Sequence, residues 1–139
     1  MNEEYIKMCE KATEIQNKWK PQEWDYIYAK RYDYDDDNEP AKILVISGYC
    51  TDSGYYGVSI ENGKLEGIDG DATWLPRQDQ LQEMVMDCDD PLCVLIPFYR
   101  FVRDLPCPAP IYSDTFEQLW LAFVMKELFS KVWHNGRWR

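Results

Sequence analysis

Apolar side chains recur every three or four residues near the start of the chain. Over residues 3–19 the positions on one helical face are mostly large or apolar, whereas glutamate and lysine occupy the other face. Pro21 follows, and a proline cannot continue the hydrogen bonding of a helix. The pattern therefore predicts an amphipathic N-terminal helix. Its inner face would carry Tyr5, Met8, Cys9, Ala12, Ile15, Gln16 and Trp19.

The following segments have the patterns of β-strands. Residues 24–30 alternate large and polar side chains, which predicts a half-buried strand. The uninterrupted apolar run at residues 43–46 predicts a central strand. Two further strand-like segments flank Asn62 and Gly63, a dipeptide that favours the two-residue type I′ turn of a β-hairpin.

Helical signals return in the second half of the chain. Pro76 suits the first turn of a helix, which we expect to reach about Met86. Residues 92–102 are ambiguous, because their length suits a helix whereas Pro97 favours a kink, a break or an edge strand.

The C-terminal region predicts a helix followed by a short hairpin. Asp114 and Glu117 have the spacing of a capping box, which marks the start of a helix running to about residue 131. We expect Trp120 and Phe123 of this helix to lie in the core. A second Asn-Gly turn follows and lets Trp133 and Trp138 pair across a short ribbon.

Together these elements predict an α+β fold. The 139 residues suit a single domain, residues 1–139, in which a small antiparallel sheet is accompanied by N-terminal, middle and C-terminal helices. No repeat or low-complexity linker divides the chain.

Two sequence blocks carry a family resemblance. Residues 74–84 (WLPRQDQLQEM), and residues 118–127 (QLWLAFVMKE) followed by KVW at 131–133, resemble a family of small, mostly uncharacterised proteins encoded by phages and prophages of Gram-positive bacteria. The opening helix shares the resemblance, and the middle of the chain does not. The resemblance implies a phage or prophage origin, and it brings no catalytic motif that could be transferred.

Charge and aromatic content indicate which class of partner the protein binds. The formal net charge is −10, from 25 acidic and 15 basic residues, and such a chain repels the phosphates of nucleic acids. Six tryptophans and ten tyrosines are many for this length, so we expect some to be displayed at a surface. The composition therefore favours a protein partner with a basic surface over direct binding of nucleic acid.

Carboxylates cluster in two connecting segments. The first cluster could hold Ca²⁺ or Mg²⁺, but asparagine stands where an EF-hand loop needs glycine, and leucine replaces the closing glutamate. A solvated loop and a surface for a basic partner are the other interpretations, and the second cluster could extend such a surface. The candidate partner-binding residues are Asp33, Asp35, Asp36, Asp37 and Glu39, with Asp69 and Asp71.

A second candidate site lies at the start of the middle helix. Trp74 could stack on a nucleotide ring, and Arg77 and Gln78 would stand in the first helical turn, where free N–H groups attract anions. These three residues are our candidate ligand-binding site. In the alternative interpretation, Arg77 forms a local ion pair with Asp79.

The sequence offers few residues for catalysis, for a cysteine-based site or for binding nucleic acid. His134 is the single histidine and stands beside a turn, and neither a Gly-x-Ser-x-Gly motif nor a glycine-rich phosphate loop occurs. Five cysteines form no Cys-x-x-Cys pair, so reduced thiols are the simplest expectation. The cations Lys126, Lys131, Arg137 and Arg139 make only a weak nucleic-acid patch. We predict no catalytic residue, metal or cofactor.

Three functional hypotheses follow. The first is a non-enzymatic, phage-encoded acidic protein that occupies a host or phage protein, for example in counter-defence by nucleic-acid mimicry. The second is a nucleotide binder or sponge that uses Trp74 and Arg77, and the third is a metal-dependent nuclease built on the acidic segments. The acidic N-terminus carries no apolar leader and no run is long enough to span a membrane, so we expect a cytoplasmic location in a bacterial host.

Overall fold

The computed structural model describes residues 1–29, 41–50, 54–63, 65–68 and 72–139. These residues form five α-helices, a short 3₁₀-helix and seven β-strands. The α-helices are α1 (Glu3–Lys11), α2 (Thr13–Gln16), α3 (Gln78–Val85), α4 (Leu92–Arg103) and α5 (Phe116–Phe129), and the 3₁₀-helix is Ile111–Ser113. The strands are β1 (Tyr26–Ala29), β2 (Lys42–Cys50), β3 (Gly54–Ser59), β4 (Leu65–Gly67), β5 (Ala72–Leu75), β6 (Trp133–His134) and β7 (Arg137–Trp138).

The stretch Ile15–Leu75 forms one of two compact units, which we call the sheet unit. Its five strands are antiparallel and lie in the order β4-β3-β2-β1-β5, so the predicted central strand, β2, is in the middle. β3 and β4 form the predicted hairpin with a longer turn than expected. The Gly63 N–H donates to the Ser59 carbonyl at 2.9 Å, and Gly63 has a φ of 67° whereas Asn62 is not left-handed.

One face of this sheet forms the core of the sheet unit. Ile27, Ala29, Leu44 and Ile46 are at most 4% exposed and pack together, and Trp19 lies against them. The alternation predicted around residues 24–30 produces this arrangement, because successive side chains of a strand point to opposite faces. Burying each large aliphatic side chain contributes about 1.5–3 kcal/mol.

The second unit, which we call the helical unit, combines Met1–Glu14 with Pro76–Arg139. α5 is central to it, and α1, α3 and the 3₁₀-helix all contact α5. The apolar residues of its middle turns are at most 3% exposed, so the prediction that Trp120 and Phe123 lie in the core is confirmed. These buried residues are Trp120, Leu121, Ala122, Phe123, Val124 and Met125.

Two helix boundaries differ from the prediction. The N-terminal helix is interrupted at Ala12, whose N–H donates to the Cys9 carbonyl, so α1 and α2 replace one continuous helix. The cap of α5 is Thr115 rather than Asp114, because the Thr115 hydroxyl accepts the N–H of Gln118 at 3.2 Å.

The ambiguous residues 92–102 are helical and belong to α4, with Pro97 inside the helix. Pro97 removes one backbone hydrogen bond, but the inward face of α4 packs on α5. The Phe98 ring is stacked on Trp120, and Phe101 is 9% exposed. Burial of this face favours the helix despite the proline.

The C-terminal hairpin forms as predicted. Asn135 and Gly136 both have positive φ, 50° and 75°, as a type I′ turn requires, and the Trp133 and Trp138 rings lie 5.0 Å apart. The predicted α+β class is therefore confirmed, with an antiparallel sheet and N-terminal, middle and C-terminal helices. The assignment of residues 1–139 to one domain stays a prediction.

Candidate interaction surface

The face of the sheet opposite the core carries an apolar row across all five strands. In the register of the sheet, Leu65 lies beside Val58, Val58 beside Val45, Val45 beside Tyr26, and Tyr26 beside Leu75. Exposure falls along this row: Leu65 is 65% exposed, the three middle side chains are half-buried, and Leu75 is fully buried. One side of the row is therefore open to solvent.

Further aromatic and aliphatic side chains extend this face on both sides of the row. Tyr28 lies beside Ile43 in the register, and the Tyr56 ring lies over Gly48, where no side chain could fit beneath it. All the described strand residues of this face are uncharged. We call the surface the tyrosine face and define it as Tyr26, Tyr28, Ile43, Val45, Tyr56, Val58 and Leu65.

The candidate partner-binding carboxylates all lie outside the described residues. They are Asp33, Asp35, Asp36, Asp37, Glu39, Asp69 and Asp71. Along the chain, the first five belong to the connection between β1 and β2, and the other two belong to the connection between β4 and β5.

Both ends of the first connection and the β5 end of the second lie side by side in the sheet. Ala29, the last residue of β1, pairs with Lys42, the first residue of β2, and also with Ala72, the first residue of β5. Both ends of the first acidic segment and one end of the second therefore join the sheet together. Tyr28 of the tyrosine face is the neighbouring residue of β1. The second segment leaves the sheet after Gly67 of β4, which pairs with Tyr56 and so lies level with Gly48, at the other end of β2.

Trp74, a candidate ligand-binding residue, belongs to the core of the sheet unit. Its side chain is 6% exposed, and its ring is stacked on Trp19 with centroids 6.2 Å apart. The Gln16 amide bonds both the N–H and the carbonyl of Trp74, each at 2.9 Å, which satisfies the outer edge of β5. The indole Nε1 of Trp74 is buried and has no hydrogen-bond partner among the described residues.

Arg77 and Gln78, the other candidate ligand-binding residues, lie at the start of α3 in the helical unit. The Arg77 guanidinium binds Asp79 through two hydrogen bonds of 3.1 and 3.2 Å, and this guanidinium lowers the pKa of the Asp79 carboxyl. Gln80 accepts the N–H of Arg77 at 2.9 Å. Gln78 is half-buried at the first helical position. The ion pair that we weighed as the alternative interpretation is thus present.

The cysteines depart from the expectation of reduced thiols. Cys88 and Cys93 form a disulfide across the start of α4, whose N-cap is Pro91. The Asp87 carboxylate lies within 4.8 Å of both sulfurs. A disulfide sulfur is not a thiolate, so these three groups could bind a metal only after reduction. Cys9 is buried, and burial raises the pKa of its thiol.

Trp133, Trp138 and Lys131, near the C-terminus, make contacts within the helical unit. Trp133 Nε1 donates to the Glu4 carboxylate at 2.8 Å, and Trp138 Nε1 donates to the Met8 carbonyl at 3.0 Å. Lys131 forms an ion pair with Glu14. These contacts anchor the C-terminal hairpin on the first helix, which accounts for the two tryptophans without a ligand.

The sequence reasoning missed the tyrosine face, although a signal was present. In β1, Tyr26 and Tyr28 alternate with the buried Ile27 and Ala29, so tyrosine occupies positions that usually carry polar side chains. Comparisons with protein-family models, curated proteins and solved structures find no match. In the described part of the chain, no helix is long and apolar enough to cross a membrane.

Proposed function

We propose that the protein is a non-enzymatic binding protein that occupies a partner protein through the tyrosine face and the adjacent acidic segments. The observation that carries this proposal is the uncharged, half-buried tyrosine face, at one end of which the first acidic segment joins the sheet at both of its ends and the second at one. The register of Ala29 with Lys42 and Ala72 brings the end of β1 beside the starts of β2 and β5.

The tyrosine face has the chemistry of a protein interface. The solvent side of an antiparallel sheet is commonly polar, whereas this one presents three tyrosines, two valines, an isoleucine and a leucine. Contiguous apolar patches of this kind mark interaction sites, and tyrosine is enriched at protein interfaces because a rigid ring buries much area and keeps a polar tip.

The acidic segments favour a partner with a basic surface. The chain carries a net charge of −10, and seven of its carboxylates lie in these two segments, each of which has at least one end in the sheet next to the register position of Tyr28. Opposite charge on the partner would accelerate the encounter, and the apolar face would then supply the contact area. The phage origin and the counter-defence role rest on the sequence resemblance alone and are part of the same proposal.

An affinity experiment tests the proposal. The tagged protein is used as bait in a lysate of a Gram-positive host, and captured partners are then compared between variants. We expect a partner that is retained by wild type and released by Tyr28→Ala and by Leu65→Ser. Ile111→Ser is the control, because Ile111 is an exposed aliphatic residue of the helical unit. Capture that survives both tyrosine-face variants would refute the proposal.

Association kinetics test the acidic part separately. Replacing Asp35, Asp36 and Asp37 by asparagine should slow association with the captured partner, and the difference should shrink at high salt as screening removes the attraction. Equal association rates for wild type and this triple variant at low salt would show that the acidic segment is only a solvated connection.

A further inference from the structure

α4 carries an apolar stripe on its outer face. Leu92, Leu95, Ile96 and Tyr99 are 56%, 48%, 48% and 65% exposed, and their spacing of i, i+3, i+4 and i+7 places them in one line along the helix. The opposite face of α4 already packs on α5. We call these four residues the α4 stripe. An apolar line with this spacing is the surface that helices use to pack against other helices.

The two ends of the α4 stripe carry opposite charge. Asp87, Asp89 and Asp90 immediately precede the helix and are exposed, and Arg100 and Arg103 lie in its last turn and are also exposed. Arg103 forms an exposed ion pair with the following aspartate. Arg100 has no ion pair with a carboxylate of the described residues. The surface thus runs from acidic through apolar to basic.

We propose that the α4 stripe binds the α4 stripe of a second copy of this chain, with the two helices antiparallel about a two-fold axis. In that arrangement the acidic end of each copy faces the basic end of the other, and the apolar residues meet between them. A parallel pair would oppose aspartates to aspartates. Charge complementarity therefore favours a second copy of the chain and the antiparallel direction of the two helices. A contact about a two-fold axis is closed, so the assembly ends at the dimer.

The spacing of the stripe fixes the register of this contact. Its midpoint lies between Leu95 and Ile96, so a two-fold axis there places Leu95 against Ile96 of the second copy and Leu92 against Tyr99. Arg100 then lies near Asp89 and Asp90 of the second copy. The contact uses one short helix from each chain, so the dimer should dissociate on dilution. The dimer contact is separate from the proposed partner-binding function, because it uses α4 of the helical unit and not the tyrosine face.

Sedimentation velocity over a range of concentrations tests the dimer. We expect the wild-type mass to rise toward twice the chain mass, and Leu95→Glu to remain a monomer at every concentration. Ile60→Glu is the control, since Ile60 is an exposed aliphatic residue of the sheet unit outside the tyrosine face, and it should dimerise like wild type. A monomeric wild type, or a Leu95→Glu variant that dimerises normally, would overturn the proposal.

A charge exchange tests the antiparallel direction and does not rely on an apolar substitution. Arg100→Glu should weaken the dimer by about tenfold, and adding Asp89→Lys to it should restore most of the affinity. Lys7→Glu changes the net charge as Arg100→Glu does at an exposed position of α1, and should have a much smaller effect. Failure of the double variant to recover affinity would exclude this arrangement. Loss of partner capture by the tyrosine face would leave these results unaffected.

Discussion

The Phe98 ring lies parallel to the Trp120 indole, with centroids 3.8 Å apart and an interplanar angle of 3°. Phe123 meets both rings edge-on, at 5.4 and 5.7 Å. This cluster joins α4 to α5 and holds the proline-containing helix in place. The α4 stripe points outward, because it occupies the face of α4 opposite Phe101, whose ring packs against Phe123.

Removing the Trp120 ring should therefore destabilise the helical unit strongly. Trp120 is 2% exposed, and Trp120→Ala should lower the free energy of unfolding by on the order of 3–5 kcal/mol. The substitution leaves a cavity and also removes the ring that is stacked on Phe98. Phe116→Ala on the same helix is the control: Phe116 is 66% exposed, and its loss should change stability by less than about 0.5 kcal/mol. Denaturant unfolding measures both values, and equal values would place Trp120 outside the core.

A side chain at position 48 should disturb the tyrosine face. The Tyr56 hydroxyl and ring carbon occupy the place of a β-carbon on Gly48, so Gly48→Ala must displace the ring and should cost about 1–3 kcal/mol. Gly67 pairs with Tyr56 on the neighbouring strand and has open space, so Gly67→Ala should be nearly neutral. Thermal unfolding of both variants checks this expectation, and an unchanged melting temperature for Gly48→Ala would contradict it.

The Glu14–Lys131 ion pair should make stability depend on pH. The hydrogen bond from Lys131 lowers the pKa of the Glu14 carboxyl below its unfolded value, so the stabilisation is complete above the unfolded pKa and is lost as pH falls through the folded pKa. Both side chains are partly exposed, so Glu14→Gln should cost no more than about 1 kcal/mol near neutral pH.

Denaturant unfolding at about pH 7 and about pH 3 measures the contribution of the Glu14–Lys131 ion pair, because an unfolded glutamate carboxyl titrates at about pH 4.3. The difference in free energy of unfolding between wild type and Glu14→Gln should be smaller at the lower pH. Glu10→Gln, at an exposed position of α1, controls for the loss of one negative charge. A difference that is the same at both pH values would show that the ion pair does not contribute.

Nucleotides should leave the melting temperature unchanged. The Trp74 ring is buried against Trp19, and the Arg77 guanidinium is paired with Asp79, so a nucleotide that used both groups would have to uncover the ring and compete with the ion pair. Thermal unfolding across a nucleotide panel tests the nucleotide-binding hypothesis, since ligand binding to the folded state raises the melting temperature. A shift that Arg77→Ala abolishes and Arg100→Ala preserves would contradict our expectation and support the alternative function.

The nuclease hypothesis stays a prediction, because its carboxylates lie outside the described residues. Cleavage of nucleic acid that requires Mg²⁺ or Mn²⁺, and that is lost in the Asp35→Asn, Asp37→Asn double variant, would support it over the binding function.

Local patterns determined most of the secondary structure of this protein. The central strand β2, the C-terminal hairpin with its two positive φ angles, and the burial of Trp120 and Phe123 all follow from signals within a few residues. Such signals are strong because strand alternation, turn chemistry and helix capping depend on neighbouring residues. The weaker local signals were less reliable: the cap of α5 lies one residue after the predicted position, and the interruption of the N-terminal helix at Ala12 was not predicted.

The surfaces, in contrast, depended on the tertiary structure. Only the register of β1 with its two neighbours shows that the end of β1 lies beside the starts of β2 and β5, where both acidic segments have an end. Residues 92–102 became a helix because their inward face packs on α5, and the same packing leaves the α4 stripe exposed. The sequence alone determined which side chains are apolar or charged, whereas the pairing of distant segments decided which of them face solvent together, because that pairing is set by long-range contacts.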